Sequence, residues 1–302
     1  LEGDCKVRGK KPDSFEFTAT LADETRLAFH YPYGFTQVLE AVARWAAHPD
    51  VQLAEIAHSV EGRPIHHLTV HSPLGDEKPM GVWVTCRQHA AESVANWFLE
   101  GFMDWLLSPE AAEFRRRVAV HVVPMLNPDG VIAGNYRANA EGVNLNRVWN
   151  SADPKTSPEI HSLTRVIRSW HERTQRYDFY IDLHGDSESL ACYAFQAGAE
   201  MKPPAYREPE RYHEHSRQFI AMVAKRSPDF DPNEGIVNTE DVNLSRQYMM
   251  FTYGVMAQLF ENGYSTVNYG PNKGTWLTPE RHKGVGRAAA EALAEYLSAP
   301  RK

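Results

Sequence analysis

The stretch that most limits how this chain can fold is Met80-Gly-Val-Trp-Val-Thr85, a short apolar run with β-branched residues. A run of that length and composition fits a buried strand. Soon afterwards the period changes: Val94, Trp97, Phe98, Gly101, Phe102, Trp105 and Leu106 recur at the spacing of one helix face. Between strand and helix lie His89 and Glu92, three residues apart and able to turn to one side. An imidazole nitrogen and a carboxylate so placed are two of the three protein ligands a catalytic zinc needs, with water in the fourth position. Chance alone gives about two such pairs in a chain with 14 histidines and 39 acidic residues, and His58/Glu61 is another. The pair therefore gains meaning only from what lies downstream.

Read in order, residues 1–12 form a loose lead-in, and Ser14–Thr20 and Arg26–His30 alternate weakly as strands. Phe35, Val38, Leu39, Val42, Ala43 and Trp45 outline a first amphipathic helix. Strands are expected over Val51–His58, Ile65–His71, Val118–Pro124, Tyr177–Leu183, Leu190–Phe195 and Val255–Phe260. Helices are expected over Pro109–Arg117, Ser157–His171, Arg211–Arg226, Arg246–Thr252 and Thr278–Leu297. His66, His67 and His71 read as polar surface residues of a strand. Asn127-Pro-Asp-Gly130 reads as a chain reversal, and from there to Trp149 the sequence is irregular but not of disordered composition. Strands alternating with helices imply an α/β fold, a mixed, mostly parallel twisted sheet sandwiched by helices. The expected division is a lead-in and β-rich remnant over residues 1–30 and a catalytic domain over 31–302.

Composition sets the outer limits. With 302 residues, 42% hydrophobic and 24% charged, the chain can bury one sizeable core. A net charge of −7 argues against nucleic acid as the main partner, and the apolar runs fall short of a membrane span. Cys5, Cys86 and Cys192 lack metal-type spacing, which favours a reducing, cytoplasmic setting. The opening Leu1-Glu-Gly has neither Met nor an apolar stretch, so the chain reads as processed or trimmed, and a removed signal peptide stays open.

In open α/β sheets, ligands bind beyond the carboxyl ends of the strands. His89 follows one strand, His184 and Glu261 end two others, and the loop from Asn127 to Arg147 follows a fourth. His89, Glu92 and His184 then form a two-histidine, one-glutamate set for Zn2+, one per chain, with a position open for water. Glu261 is the natural general base, and Arg137, Asn146 and Arg147 supply an oxyanion partner and a carboxylate clamp. Zinc in such a set polarises a carbonyl and lowers the pKa of its water toward about 7.

These residues sit in motifs that run in order through most of the chain. They are Ser59-Val-Glu-Gly-Arg-Pro-Ile65, His89-x-x-Glu92, Asn127-Pro-Asp-Gly130, Gly134-Asn-Tyr-Arg137, Gly142-Val-Asn-Leu-Asn-Arg147, Asp182-Leu-His-Gly185 and Phe260-Glu261. In that order they resemble the zinc carboxypeptidases of the carboxypeptidase A superfamily (peptidase family M14), most of all the cytosolic carboxypeptidase, or deglutamylase, branch. The resemblance implies His89, Glu92 and His184 as zinc ligands and Glu261 as the catalytic glutamate. It implies Arg137 at the substrate carbonyl, and Asn146 with Arg147 at the terminal carboxylate of a peptide or protein tail. Counting back from Glu261 to where the superfamily meets the departing side chain gives Arg246, whose guanidinium would favour Glu or Asp and repel Lys or Arg.

Three departures stand out. Asn144 replaces the usual aspartate behind the first zinc histidine; its amide oxygen can accept the imidazole proton but brings no charge. Asp186 replaces a second histidine, and the family's mobile tyrosine has only Tyr248 and Tyr253 as candidates. The branch's N-terminal β-sandwich is shortened to residues of about 12–30. Two other readings remain: a zinc amidase or deacylase acting on a small acyl-amino acid or cell-wall peptide, and a peptide-binding relative without turnover.

Overall fold

The computed structural model describes residues 4–8, 14–18, 28–189, 191–267 and 270–298. Strands β1 (Asp4–Arg8) and β2 (Ser14–Thr18) pair antiparallel as a ribbon, so part of the expected loose lead-in is strand. The strand expected over Arg26–His30 is not found at residues 28–30, and 26 and 27 lie outside the described residues. Helix α1 (Phe35–Ala46) leads into the hairpin β3 (Val51–His58) and β4 (Pro64–Val70). Then follow β5 (Met80–Cys86), α2 (Val94–Leu106), α3 (Ala112–Arg117) and β6 (Val118–Val123).

Asn127-Pro-Asp-Gly130 differs from the expected reversal: it starts a short helix, α4 (Pro128–Ala133). Asn127 caps it by accepting from the Gly130 amide, and proline at the first position supplies a preset φ. The chain continues through α5 (Pro158–Thr174), β7 (Phe179–Asp186), β8 (Cys192–Ala194) and β9 (Gln196–Ala197). The last elements are α6 (Tyr212–Ala224), β10 (Phe230–Asp231), β11 (Ile236–Val237), α7 (Ser245–Tyr253), β12 (Met256–Gly263) and α8 (Pro279–Ser298).

Eight strands form the main sheet in the order β10-β8-β12-β7-β5-β6-β4-β3. Its centre, β12-β7-β5-β6, is parallel, while β4 on β6, β3 on β4 and β8 on β12 are antiparallel. Central strands covered on both faces need mostly apolar residues, as Val118–Val123 and Phe179–Leu183 supply apart from His121 and Asp182. On one face α2 and α8 pack so closely that two glycines are required. A Cβ on Gly101 would lie 1.9 Å from the Lys283 carbonyl oxygen, and one on Gly286 would lie 1.9 Å from that of Phe98.

His67 corrects the sequence reading, because it is buried. It stacks on Trp83 with ring centroids 5.1 Å apart, and its Nε2 lies 3.0 Å from His121 Nδ1. His121 in turn meets Trp83 and Trp170 at 4.3 and 4.2 Å. The surface reading failed because the face of β4 that carries His67 also carries Trp83 of β5 and His121 of β6, and Trp170 of α5 packs over that row. Burial pushes the His67 imidazole down to about 4 from its usual 6.5.

The unfolded chain takes up that proton near pH 6.5, whereas the native state resists it down to about pH 4. Stability from this group is therefore lost as pH falls through that window, by an amount on the order of 3 kcal/mol. Urea midpoints of metal-stripped protein at pH 7 and pH 5 should show a clearly smaller acid loss for His67→Gln than for wild type. Parallel pH dependence in the two proteins would show that His67 does not resist protonation.

Candidate active site and metal centre

The strand β5 ends at Cys86, and the next residue, Arg87, takes the left-handed conformation with φ 63°. That costs a non-glycine residue roughly 1–3 kcal/mol and turns the chain sharply upward. The buried Arg87 side chain holds the turn, donating to the carbonyls of Ala90 and Tyr33 and to Asn96 Oδ1 at 2.6–2.9 Å. His89 and Glu92 are thereby brought over the end of the sheet. On the next strand, β7, His184 lies near the end, and Glu261 lies opposite it on β12.

His89, Glu92 and His184 converge, each buried, with one donor atom apiece inside 4.8 Å of the others. His89 Nδ1 lies 2.7 Å from Glu92 Oε1, His184 Nδ1 lies 2.8 Å from Glu92 Oε2, and the two Nδ1 atoms are 3.1 Å apart. The opposite ring nitrogens have acceptors of their own. His184 Nε2 is 2.9 Å from Asp182 Oδ2, and His89 Nε2 is 3.0 Å from Asn144 Oδ1. Protons on those Nε2 atoms leave both Nδ1 lone pairs aimed at one point beside a carboxylate. Two such nitrogens and a carboxylate could hold a catalytic zinc, and each ring has an outer acceptor beside it. Burial works against charge on Glu92, yet the neighbouring His184 and His89 hold its carboxyl below the usual range.

The two outer acceptors are unequal. Asp182 is fully buried and also accepts from Thr85 Oγ1 at 2.8 Å, Gln88 Nε2 at 2.6 Å and the Ser245 hydroxyl. Asn144 offers an uncharged amide oxygen, which also accepts from the Asn146 amide at 3.0 Å. Asp182 was missed as a separate site residue. The signal was present, since in a strand a residue two positions before His184 shares its face. Gln88, Trp149, Ser245 and Arg87 were also missed, and no local pattern marks them. Trp149 Nε1 donates to Gln88 Oε1 at 2.7 Å, which links the site loop to Asp182.

The other expected residues fall around this cluster. Arg137 is 39% exposed, with Nη1 3.8 Å from Glu92 Oε1 and Nη2 3.2 Å from His89 Nε2. Glu261 is partly exposed with a buried, unpartnered Oε2 among the described residues. Burial pushes its carboxyl well above the usual range; His184 opposes the shift and Glu92 adds to it. Asn146 is buried, its Oδ1 accepting from the Ser245 amide at 2.8 Å and its Nδ2 3.4 Å from His184 Nε2. Arg147 is exposed and turns Nη1 back to the Asn146 carbonyl at 2.6 Å.

Arg246 lies in the first turn of α7 and is 1% exposed. Its Nε donates to the Ala257 carbonyl at 3.0 Å, while Nη1 and Nη2 are buried without a partner among the described residues. Asp186 accepts from the Tyr193 hydroxyl at 3.0 Å. Tyr248 and Tyr253 lie on α7 behind the site loop, the first against Trp149 and the second against Tyr177.

Residues 36–263 match the family model described as zinc carboxypeptidase. The chain belongs to the zinc carboxypeptidase family. Members of this hydrolase family use zinc, which suits the donor set formed by His89, Glu92 and His184.

Among curated proteins, the chain is 28% identical over 277 residues to an uncharacterized protein of Zymomonas mobilis, covering 89% of this chain and 69% of that one. It is 29% identical to cytosolic carboxypeptidase 2 of Xenopus tropicalis and 27% identical to cytosolic carboxypeptidase 6 of Mus musculus. Those alignments cover 88% and 94% of this chain but only 28% and 54% of the relatives. A solved metallo-carboxypeptidase of Pseudomonas aeruginosa superposes with a TM-score of 0.81 at 27% identity, over 95% of this chain and 75% of that one. One from Burkholderia cenocepacia gives 0.78 at 30%, over 89% and 70%.

The amide behind His89 carries a measurable consequence. In chelator competition, Asn144→Ala should weaken zinc binding by roughly 10–100-fold, and Asn144→Asp should tighten it, because a carboxylate raises the basicity of the imidazole. Identical affinities for the three proteins would show that the contact has no bearing on the metal.

Proposed function

We propose that the enzyme removes C-terminal residues, acidic ones preferred, from peptides or protein tails, with zinc held by His89, Glu92 and His184. The observation that carries the reading is the convergence of two imidazole Nδ1 atoms on one buried carboxylate, beside Glu261 at the open end of the sheet. When bound, zinc supplies a Lewis acid for the scissile carbonyl and for water. Glu261 takes the proton of the attacking water and passes it to the leaving amine. Its raised pKa suits the second of these tasks, because a carboxyl that holds its proton can donate it.

Arg137 hydrogen-bonds the carbonyl oxygen as it gains negative charge. Its partial exposure and long 3.8 Å approach to Glu92 leave it able to turn to a substrate. Arg147 and the Asn146 amide hold the terminal carboxylate; Arg147 has no carboxylate partner among the described residues. The preference for acidic residues rests on Arg246. A buried guanidinium with two unpaired nitrogens is costly to leave so, and a carboxylate side chain would fork onto both. An aliphatic side chain there would leave the charge unanswered. The relatives named cytosolic carboxypeptidases support a cytoplasmic setting.

Glu261→Gln should lower kcat by about 10²–10⁴-fold while zinc content, measured by atomic absorption, stays at the wild-type value. Undiminished turnover would require another base.

A panel of peptides differing only in the last residue tests Arg246. Wild type should favour Glu and Asp over Leu or Phe, and Arg246→Ala should cut kcat/KM for the acidic peptides by roughly tenfold or more. A wild-type preference for Leu or Phe, or an unchanged preference in Arg246→Ala, would remove Arg246 from the specificity pocket and leave the zinc chemistry untouched.

A further inference from the structure

A pocket of about 340 Å³ lies on the far side of the site loop, between α5 and α7. Along α5, His161, Thr164, Arg165 and Arg168 follow the three-, four- and seven-residue spacing of one helix face, and all four line the pocket. Trp149, from the site loop, and Tyr248, from α7, close the other side. No carboxylate lines it. Asp153, which lies near His161, is engaged by the amides of Lys155 and Thr156 at 2.8 and 3.2 Å.

In a chain of net charge −7, that absence of acid is unusual. Many arginines elsewhere have carboxylates. Arg211 meets Glu208 and Glu214, Arg226 meets Glu291 and Glu295, and Arg287 meets Glu110 and Glu291. Arg165 and Arg168 form no ion pair among the described residues, although like charges three apart on a helix repel. Arg168 is instead faced by the phenol oxygens of Tyr248 and Tyr253.

We propose that this pocket binds a small phosphate-bearing anion, clamped by Arg165 and Arg168. Two guanidinium forks match the several oxygens of a phosphate better than the two of one carboxylate. The volume lies at the lower end of the range for ligand pockets, about 300–1,000 Å³, so there is room for a small organic body on the phosphate. The site is separate from the metal cluster but tied to it. Trp149 forms its wall and donates to Gln88, which donates to Asp182 behind His184. Tyr248 lies one turn beyond Ser245, whose hydroxyl also reaches Asp182.

Calorimetric titration of the zinc-loaded enzyme with inorganic phosphate, and separately with glycerol 3-phosphate, tests the site at an ionic strength fixed with chloride. Wild type should bind at least one of the two saturably, and the tighter of them tells whether the free ion or a monoester is the better occupant. In Arg165→Gln/Arg168→Gln, whose changes are on the surface, the dissociation constant should rise by roughly tenfold or more. Glycerol itself should not bind. Absence of binding to wild type, or equal binding by the double variant as phosphate on the metal would give, overturns the proposal.

Discussion

Much of the site follows from the cost of burying Glu92. A carboxylate taken out of water must be answered by donors or by charge. Here the Gly185 amide donates at 3.1 Å, and the His89 and His184 Nδ1 atoms lie 2.7 and 2.8 Å from the carboxylate, where one bound cation would answer all three. The two imidazoles are 95 residues apart in sequence, one on the turn after β5 and one near the end of β7. They can meet only if the two strands are neighbours in register. Thr85 lies opposite Asp182 in that pairing, and the same alignment lets the Thr85 hydroxyl donate to Asp182. The candidate metal centre and the centre of the sheet are thus one arrangement seen at two levels.

The irregular stretch between α4 and α5 carries Arg137, Asn144, Asn146 and Arg147, and a handful of buried amides hold it in place. Asn127 Nδ2 donates to the carbonyls of Gln88 and Ala138, which joins the turn after β5 to this loop. Asn139 accepts from the amides of Glu141 and Val143 and donates to the Thr156 carbonyl. Glu159 lies beneath it with no exposure, and burial raises its carboxyl to about 7. A long loop with so few apolar residues can be ordered because its polar groups bond one another rather than water.

Charge is distributed by task across the enzyme. Many exposed arginines lie beside carboxylates and add little to stability, as surface pairs in water do. The exceptions carry the argument. Arg87 is buried to hold a strained turn, Arg147 is exposed without a carboxylate at the site, and Arg246 is buried with two unpaired nitrogens. In an acidic chain, a guanidinium left without an acid is the clearest indication of where an anion belongs.

The sequence by itself determined the alternation of strands and helices, because apolar period is a local property of the chain. It also determined the order of the zinc carboxypeptidase motifs, and through them which histidines and glutamates to inspect. The amide at position 144 was legible too, as a departure whose chemistry could be stated in advance. Tertiary structure alone decided the remainder. That His67 is buried depends on Trp83, His121 and Trp170, brought from β5, β6 and α5 onto its face of the sheet. That Arg246 is left with unpaired nitrogens depends on what α7, α6 and β12 place around it, and that Arg87 adopts a left-handed turn depends on Tyr33 and Asn96, remote or semi-remote in sequence. Local pattern reports which face of an element is apolar. Which polar groups then find partners, and which are left waiting for a ligand, is settled only when distant segments are packed together.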